Sequence, residues 1–450
     1  MTAAPPEAPP APPAPPPPAS ASAPPGPPRR GRPRARLLAL MVAVVLVLSG
    51  NAAALLLVDR SGDEVAAGGD GSAPTRVAGT STTTSVPGPA PSTTVAPVAP
   101  APAPAAPGTA LERTVAELSA FVADQRELAF LRPVEVELLA DEPFVERLLD
   151  GAEENRQEVD ESERVLRALR LIGPDVDLFE SFTSFFGDAV LGFYDPETDE
   201  LVLRGAELTP YVRSTLVHEL SHALDDQHFE LHRPDVDEAD DESALAFSAL
   251  IEGVAIAIEN AYSNTLSADE QEQASREAAE FAGRGAGNVV PPIVVSLVQF
   301  PYLAGPTFIG ALLEEGGEAR IDEAFRDPPT TSEEILEPSI YLRGEEPLPV
   351  AAPPAGGPVI DEGSYGQWAL YLTLSELIDG DTASRAAEGW GGDSYVAWDE
   401  GNRTCVRMAF AMDTPGDLAE LDDAWRSWAE SHGDATVEAT ADVVTVTACG

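Results

Sequence analysis

Residues 218–229 read His218-Glu219-Leu220-Ser221-His222-Ala223-Leu224-Asp225-Asp226-Gln227-His228-Phe229, and the fold is decided by how this stretch is read. The chain has five histidines in 450 residues, and His218, His222, His228 and His232 fall within fifteen positions. Leu216, Val217, Leu220 and Leu224 recur at helical spacing and give the segment an apolar side on which it can be buried. On a helix, residues four apart share a face, so the imidazoles of His218 and His222 can converge on one ion at about 2.0–2.1 Å. Glu219 then stands beside the open coordination position, where a carboxylate can take a proton from a bound water. The pattern predicts a helix carrying a metal site, with Zn2+ as the ion.

Two histidines leave a tetrahedral ion short of one protein ligand. Glu252 is the candidate for it. From Ser243 to Ile258 the segment is Ala, Leu, Phe, Ile, Val, Gly and Ser apart from that one carboxylate, and a charge in so apolar a helix must be paired or bound to a metal. Gly253 and Ala255 are small and predict close approach to the histidine helix. His228 competes for the same role, ten residues after His218, but that arrangement needs a chain-reversing Gly where Asp225 stands. Asp226, one turn after His222, is either a residue that orients that ligand or an exposed acid on the helix.

Upstream, Leu111, Val115, Leu118 and Val122 mark an amphipathic helix, and Phe144 with Leu148, then Val165 to Ile172, mark others. Ala189 to Tyr194 and Leu201 to Leu203 flank the turn Asp195-Pro196-Glu197-Thr198-Asp199 and read as a β-hairpin. Helices are expected from Pro210 after Thr209, over Ser243 to Tyr262, and over Pro306 to Phe325. Ser394 to Asp399, Arg403 to Met412, a helix near Pro415 to Glu430 and two short strands to Thr447 suggest a small C-terminal α+β unit. The acidic run Asp235, Asp237, Glu238, Asp240, Asp241 and Glu242 lacks the glycine and ligand order of an EF-hand, and reads as a solvated loop or a calcium-holding one.

At the other end, residues 1–28 are half proline and cannot bury enough apolar surface to fold. Arg29, Arg30, Arg32, Arg34 and Arg36 precede Leu37–Val58, an uncharged run long enough for a bilayer core of about 30 Å. The positive flank places the N-terminus in the cytoplasm and everything after Val58 outside. A cleaved signal peptide ending near Ala52–Ala54 is the competing reading, and it gives the same exocytoplasmic destination. Residues 59–110, rich in Ala, Pro, Ser and Thr, read as a flexible stalk.

Charge narrows the function classes. Arg supplies all 27 basic residues against 76 acidic ones, for a net charge of -49, and a nucleic-acid backbone would be repelled. Cys405 and Cys449 are too few for a cysteine-rich metal cluster, and outside the cell they are expected to form a disulfide.

The residues also carry a resemblance. His218 to Phe229 is similar to the zinc helix of thermolysin-like gluzincin peptidases, and Glu252-Gly253-Val254-Ala255 resembles the Glu-Gly-x-Ala of aminopeptidases whose Glu is a zinc ligand. Together with Gly192 to Pro196, Phe300-Pro301-Tyr302 and Pro328 to Leu336, they resemble a set of poorly characterised bacterial membrane-anchored zincins. The chain departs from that pattern at Glu337, where a His is expected after Ile335-Leu336. The resemblance implies an α+β fold: a zincin-like catalytic domain of helices and a small antiparallel sheet over 111–390, and the α+β unit over 391–450. It implies hydrolysis of a peptide or protein substrate through a zinc-activated water, with His218, His222 and Glu252 on the metal and Glu219 as base. It also implies that a hairpin strand, Leu201 to Arg204, receives substrate. Tyr302, after Pro301, reads either as an oxyanion donor or as a packing residue. The rival expectation is a zincin fold that has lost hydrolysis and serves as a binding or scaffolding module at the envelope. The oligomeric state is not legible.

Overall fold

The computed structural model describes residues 109–237, 240–284 and 290–450. The proline-rich tail, the span Leu37–Val58 and the stalk to residue 108 lie outside the described residues. In chain order the helices are α1 (Ala110–Arg126), α2 (Asp141–Leu148), α3 (Arg156–Ala168), α4 (Leu178–Ala189), α5 (Pro210–Phe229), α6 (Pro234–Asp237), α7 (Asp241–Ser263), α8 (Ala268–Ala282) and α9 (Pro292–Gly316). After these come α10 (Glu318–Arg326), α11 (Ser332–Leu336), α12 (Pro338–Arg343), α13 (Gly366–Leu377), α14 (Gly380–Ala387) and α15 (Pro415–His432). The strands are β1 (Val136–Leu139), β2 (Gly192–Asp195), β3 (Glu200–Arg204), β4 (Val359–Gly363), β5 (Trp390–Glu400), β6 (Arg403–Met412), β7 (Ala435–Ala439) and β8 (Val444–Cys449). Long helices with two small sheets make this an α+β fold.

The helix bearing the histidines starts where its sequence says it should. The Thr209 side chain accepts from the Val212 amide, and Pro210 occupies the first turn, where its missing N–H costs nothing. α5 is buried along nearly its whole length, from Pro210 to Asp226. α7 opens with Asp240 accepting from the Ser243 amide at 2.8 Å and is buried from Asp241 to Ala255. α7 and α9 are both long and apolar enough to cross a membrane, yet most of each is buried against its neighbours, as core helices are.

Two expectations about packing need correction. Gly253 does not face α5. A Cβ there would come within 2.6 Å of the Gly305 carbonyl, and one on Gly305 within 2.3 Å of the Ala249 oxygen, so the paired glycines are the crossing point of α7 with α9. The helix expected over Pro306 to Phe325 is two helices: α9 begins at Pro292 and runs through Pro301 and Pro306, and Gly317 at φ 68° ends it before α10. Each internal proline costs a helix about 3 kcal/mol, but burial of Ile293, Val294, Leu297, Val298, Phe300, Phe308, Ile309 and Leu312 outweighs that penalty.

The hairpin forms as β2 and β3, antiparallel with Gly192 opposite Leu203. β1 joins it in parallel, Val136 opposite Leu201, so this sheet is mixed, in the order β1-β3-β2. The consequence is positional: β3, expected to receive substrate, is the central strand with both edges occupied, and β2 is an edge strand.

The second sheet is antiparallel, in the order β4-β5-β6-β8-β7, and takes in Val359–Gly363, well upstream of residue 391. Trp425 and Trp428 of α15 are fully buried, with Trp425 packed against Phe410 of β6. Cys405 and Cys449 lie opposite each other on β6 and β8 and form the expected disulfide.

Candidate metal centre

α5 and α7 pack side by side, and their facing residues bring three donors together. Glu252 Oε2 lies 3.0 Å from His218 Nε2 and 3.8 Å from His222 Nε2, and one donor atom from each residue fits within a span of 4.8 Å. His218, Glu219 and Glu252 are 0% exposed and His222 3%. The His222 Nε2 and the Glu252 Oε1 are buried without a hydrogen-bond partner among the described residues. Orphaned buried donors and acceptors are costly, and His222 and Glu252 belong to the group of three residues whose donor atoms lie within reach of one another, an arrangement that a divalent ion would satisfy. Two imidazoles and a carboxylate are a donor set that tetrahedral zinc accepts, with a fourth position left open.

Charge at the site is unbalanced. Burial works against a charged His218 imidazole, but its hydrogen bonds to Glu252 and Glu259 outweigh that and hold its pKa well above the usual value. Burial, with the neighbouring His218, drives His222 well below it. The Glu219 carboxyl is pushed up to about 8 by burial, with His218 opposing and Glu252 and Glu259 adding to the rise. Glu252 is raised by burial and drawn back by His218 and by the Tyr302 hydroxyl beside it. Tyr302 therefore stands next to a candidate ligand, 5% exposed on α9.

Glu259 is the site residue that sequence reading missed. Its Oε2 faces His218 Nδ1 at 3.2 Å, so the ring is held on one nitrogen by Glu259 and on the other by Glu252. A signal was present: Glu259 stands seven residues after Glu252, two turns along the same face of the same helix. Asp226 does not orient His222. It accepts from the Tyr194 hydroxyl at 2.8 Å and the Leu231 amide at 2.9 Å, tying β2 to the end of α5.

His228 takes no part in the donor cluster. Its Nε2 donates to the Ala129 carbonyl at 2.9 Å, and Gln227 beside it accepts from the Leu131 and Arg132 amides, so the end of α5 stitches down the loop after α1. Asp225, standing where a helix-ending glycine would be needed, is instead buried in an ion pair with Arg126 at 2.8 Å. α5 therefore continues through Phe229 and carries His228 away from the donors.

Residues 357–449 match a family described as a domain of unknown function, DUF8575. The match covers the strands β4 to β8 with the helices among them, and not the His218, His222 and Glu252 cluster. No curated protein matches the chain, and no solved structure does.

Proposed function

We propose that the chain is a zinc metallopeptidase, held at the outer face of a membrane by the apolar span Leu37–Val58, that hydrolyses peptide bonds of a peptide or protein substrate. The observation that carries this reading is the meeting of Glu252 with His218 and His222 across 34 positions of sequence, in a buried cluster where the His222 Nε2 and the Glu252 Oε1 lack hydrogen-bond partners among the described residues. His218 and His222 would supply imidazole nitrogens to the ion and Glu252 an oxygen. Zinc bound there supplies a Lewis acid that lowers the pKa of a coordinated water towards 7. Glu219, adjacent in sequence to a ligand and fully buried, would take a proton at its carboxylate and return it to the leaving amine. β2 is better placed than β3 to take an extended peptide as an added strand. It lies at the sheet edge, and its Tyr194 main chain adjoins Glu219.

One observation favours the rival reading, a zincin-like binding module without hydrolysis: none of the four site side chains is more than 3% exposed. The two readings part in one experiment. Zinc analysis and a broad peptide-cleavage screen on the purified protein should find about one zinc per chain and cleavage that Glu219→Gln abolishes while keeping the metal. Metal-free protein would overturn the site, and zinc without cleavage would favour the binding module. For the anchor, protease added to intact cells should trim the chain after residue 58 and spare residues 1–28.

A further inference from the structure

The acidic run 235–242 is divided by the fold. Asp235 pairs with Arg233 in solvent, and Asp241 receives the Tyr395 hydroxyl at 3.3 Å. Asp240 and Glu242 instead line a cavity of 310 Å³ between the start of α7 and the C-terminal sheet, opposite Asp393 of β5. Ser243, Thr330, Thr331 and Ser364, each carrying a hydroxyl, also line it. No arginine is among the described residues that line it, and the chain contains no lysine.

Asp225 and Glu252, both buried, each face a basic group, Arg126 and His218. Glu242 does not. It is 1% exposed, its Oε2 accepts from the Ser332 amide at 2.6 Å, and its Oε1 is buried with no hydrogen-bond partner among the described residues. The carboxylate rests on the Cα of Gly366, where a Cβ would come within 1.8 Å of it, so it cannot swing away towards α13. Asp393 and Asp240, both negative, act on it. Burial and these acids hold Glu242 well above the usual carboxylate range. Burial likewise pushes Asp393 up to about 6, although it accepts from the Tyr365 and Gly366 amides and from the Trp390 indole. A buried carboxylate that ionises is paired or coordinates a metal, and none of the described residues lining this cavity supplies a cation, so the counter-charge would come from outside the chain.

We propose that this cavity is a calcium site, with Glu242 and Asp393 as carboxylate ligands, Asp240 at its rim and hydroxyl or water oxygens completing the shell. All-oxygen donors suit a hard cation, and calcium accepts six to eight of them in irregular geometry at about 2.3–2.6 Å, whereas magnesium requires a near-ideal octahedron and sheds water reluctantly. The site ties the first turn of α7 to β5, and the same helix carries Glu252 ten residues on. Calcium binding would therefore stiffen the helix on which the candidate zinc ligand sits.

The test uses the full chain with its zinc content held constant, so that it is decided separately from peptidase activity. Equilibrium dialysis with calcium should find one ion per chain at a Kd on the order of 10⁻⁴–10⁻³ M, as in extracellular modules. Glu242→Gln should weaken binding by about tenfold or more, because it removes a charged ligand and keeps the acceptor for Ser332. Asp235→Asn, in the same acidic run but outside the cavity, should bind as the parent does. Terbium luminescence gives a second reading that needs no variant: excitation of tryptophan should sensitise bound terbium beside Trp390, and calcium should quench it by displacement. The proposal is overturned by no calcium bound at about 10 mM, by Glu242→Gln binding as tightly as the parent, by a guanidinium salt binding where calcium does not, or by absent sensitised emission.

Discussion

Glu259 Oε2 faces His218 Nδ1 at 3.2 Å, on the opposite side of the ring from the nitrogen that points to Glu252. A carboxylate in that position holds a proton on Nδ1, so that Nε2, on the side facing Glu252, is the nitrogen that would bind a metal once it gives up its own proton. Glu259→Ala should therefore weaken zinc affinity about 10- to 100-fold with the helix intact, and Glu259→Gln should recover part of the loss. Zinc retention against a graded chelator measures this, with circular dichroism as the check on folding.

The choice between Glu252 and His228 makes a ranking. Glu252→Ala removes one of three converging donors and should release the metal under mild chelation. His228→Ala should keep the metal and lose only the bond to Ala129, about 0.5–1.5 kcal/mol of stability. The opposite ranking would remove Glu252 from the site.

Arg126 and Asp225 are 1% and 3% exposed, and Glu318 and Asp322 also face the guanidinium. Arg126→Ala would leave Asp225 buried without its counter-charge, at a cost of about 3–5 kcal/mol. Denaturant unfolding should show this as a large fall in midpoint. Arg126→Ala with Asp225→Ala should recover much of it, since the orphaned charge is then gone.

The contact of Gly305 with Ala249 leaves no room for a methyl group. Gly305→Ala should cost about 1–3 kcal/mol, and by pushing α9 off α7 it should also loosen zinc binding, because Glu252 lies next to the crossing. Unfolding and zinc retention measured on the same variant would reveal the coupling. Unchanged zinc affinity would mean that α7 holds its place without α9.

Glu333, on α11, is pushed up to about 8 by burial, with Asp413, Glu337, Glu345 and Glu334 adding repulsion. Its folded pKa is above the 4.5 of an unfolded chain, so the folded state binds the proton more tightly. The stability this contributes is complete below pH 4.5 and is lost as pH rises through about 8. Glu333→Gln should flatten that decline, seen as melting temperatures that fall less between pH 5 and 8. An unchanged slope would place the titration elsewhere.

Local chemistry determined much of this protein. His218, Glu219 and His222 share a helix because the helical period brings residues four apart to one face, and Thr209-Pro210 starts that helix whatever surrounds it. Glu252 stood out because one carboxylate in an apolar helix needs a partner. The α+β class and the Cys405–Cys449 pair were legible for equally local reasons, periodicity in the one case and scarcity of thiols in the other. Tertiary structure decided what depends on separations of tens of residues. It made β2 rather than β3 an edge, because β1 arrives from 65 positions upstream to pair with β3. It ran α9 through Pro301 and Pro306, because burial against α7 outweighs a local penalty. It turned Gly253 to Gly305, gave His218 to Glu259 and Asp225 to Arg126, and set Asp393 opposite Glu242. Each of these pairings depends on how helices and strands pack in three dimensions, which no window of neighbouring residues encodes.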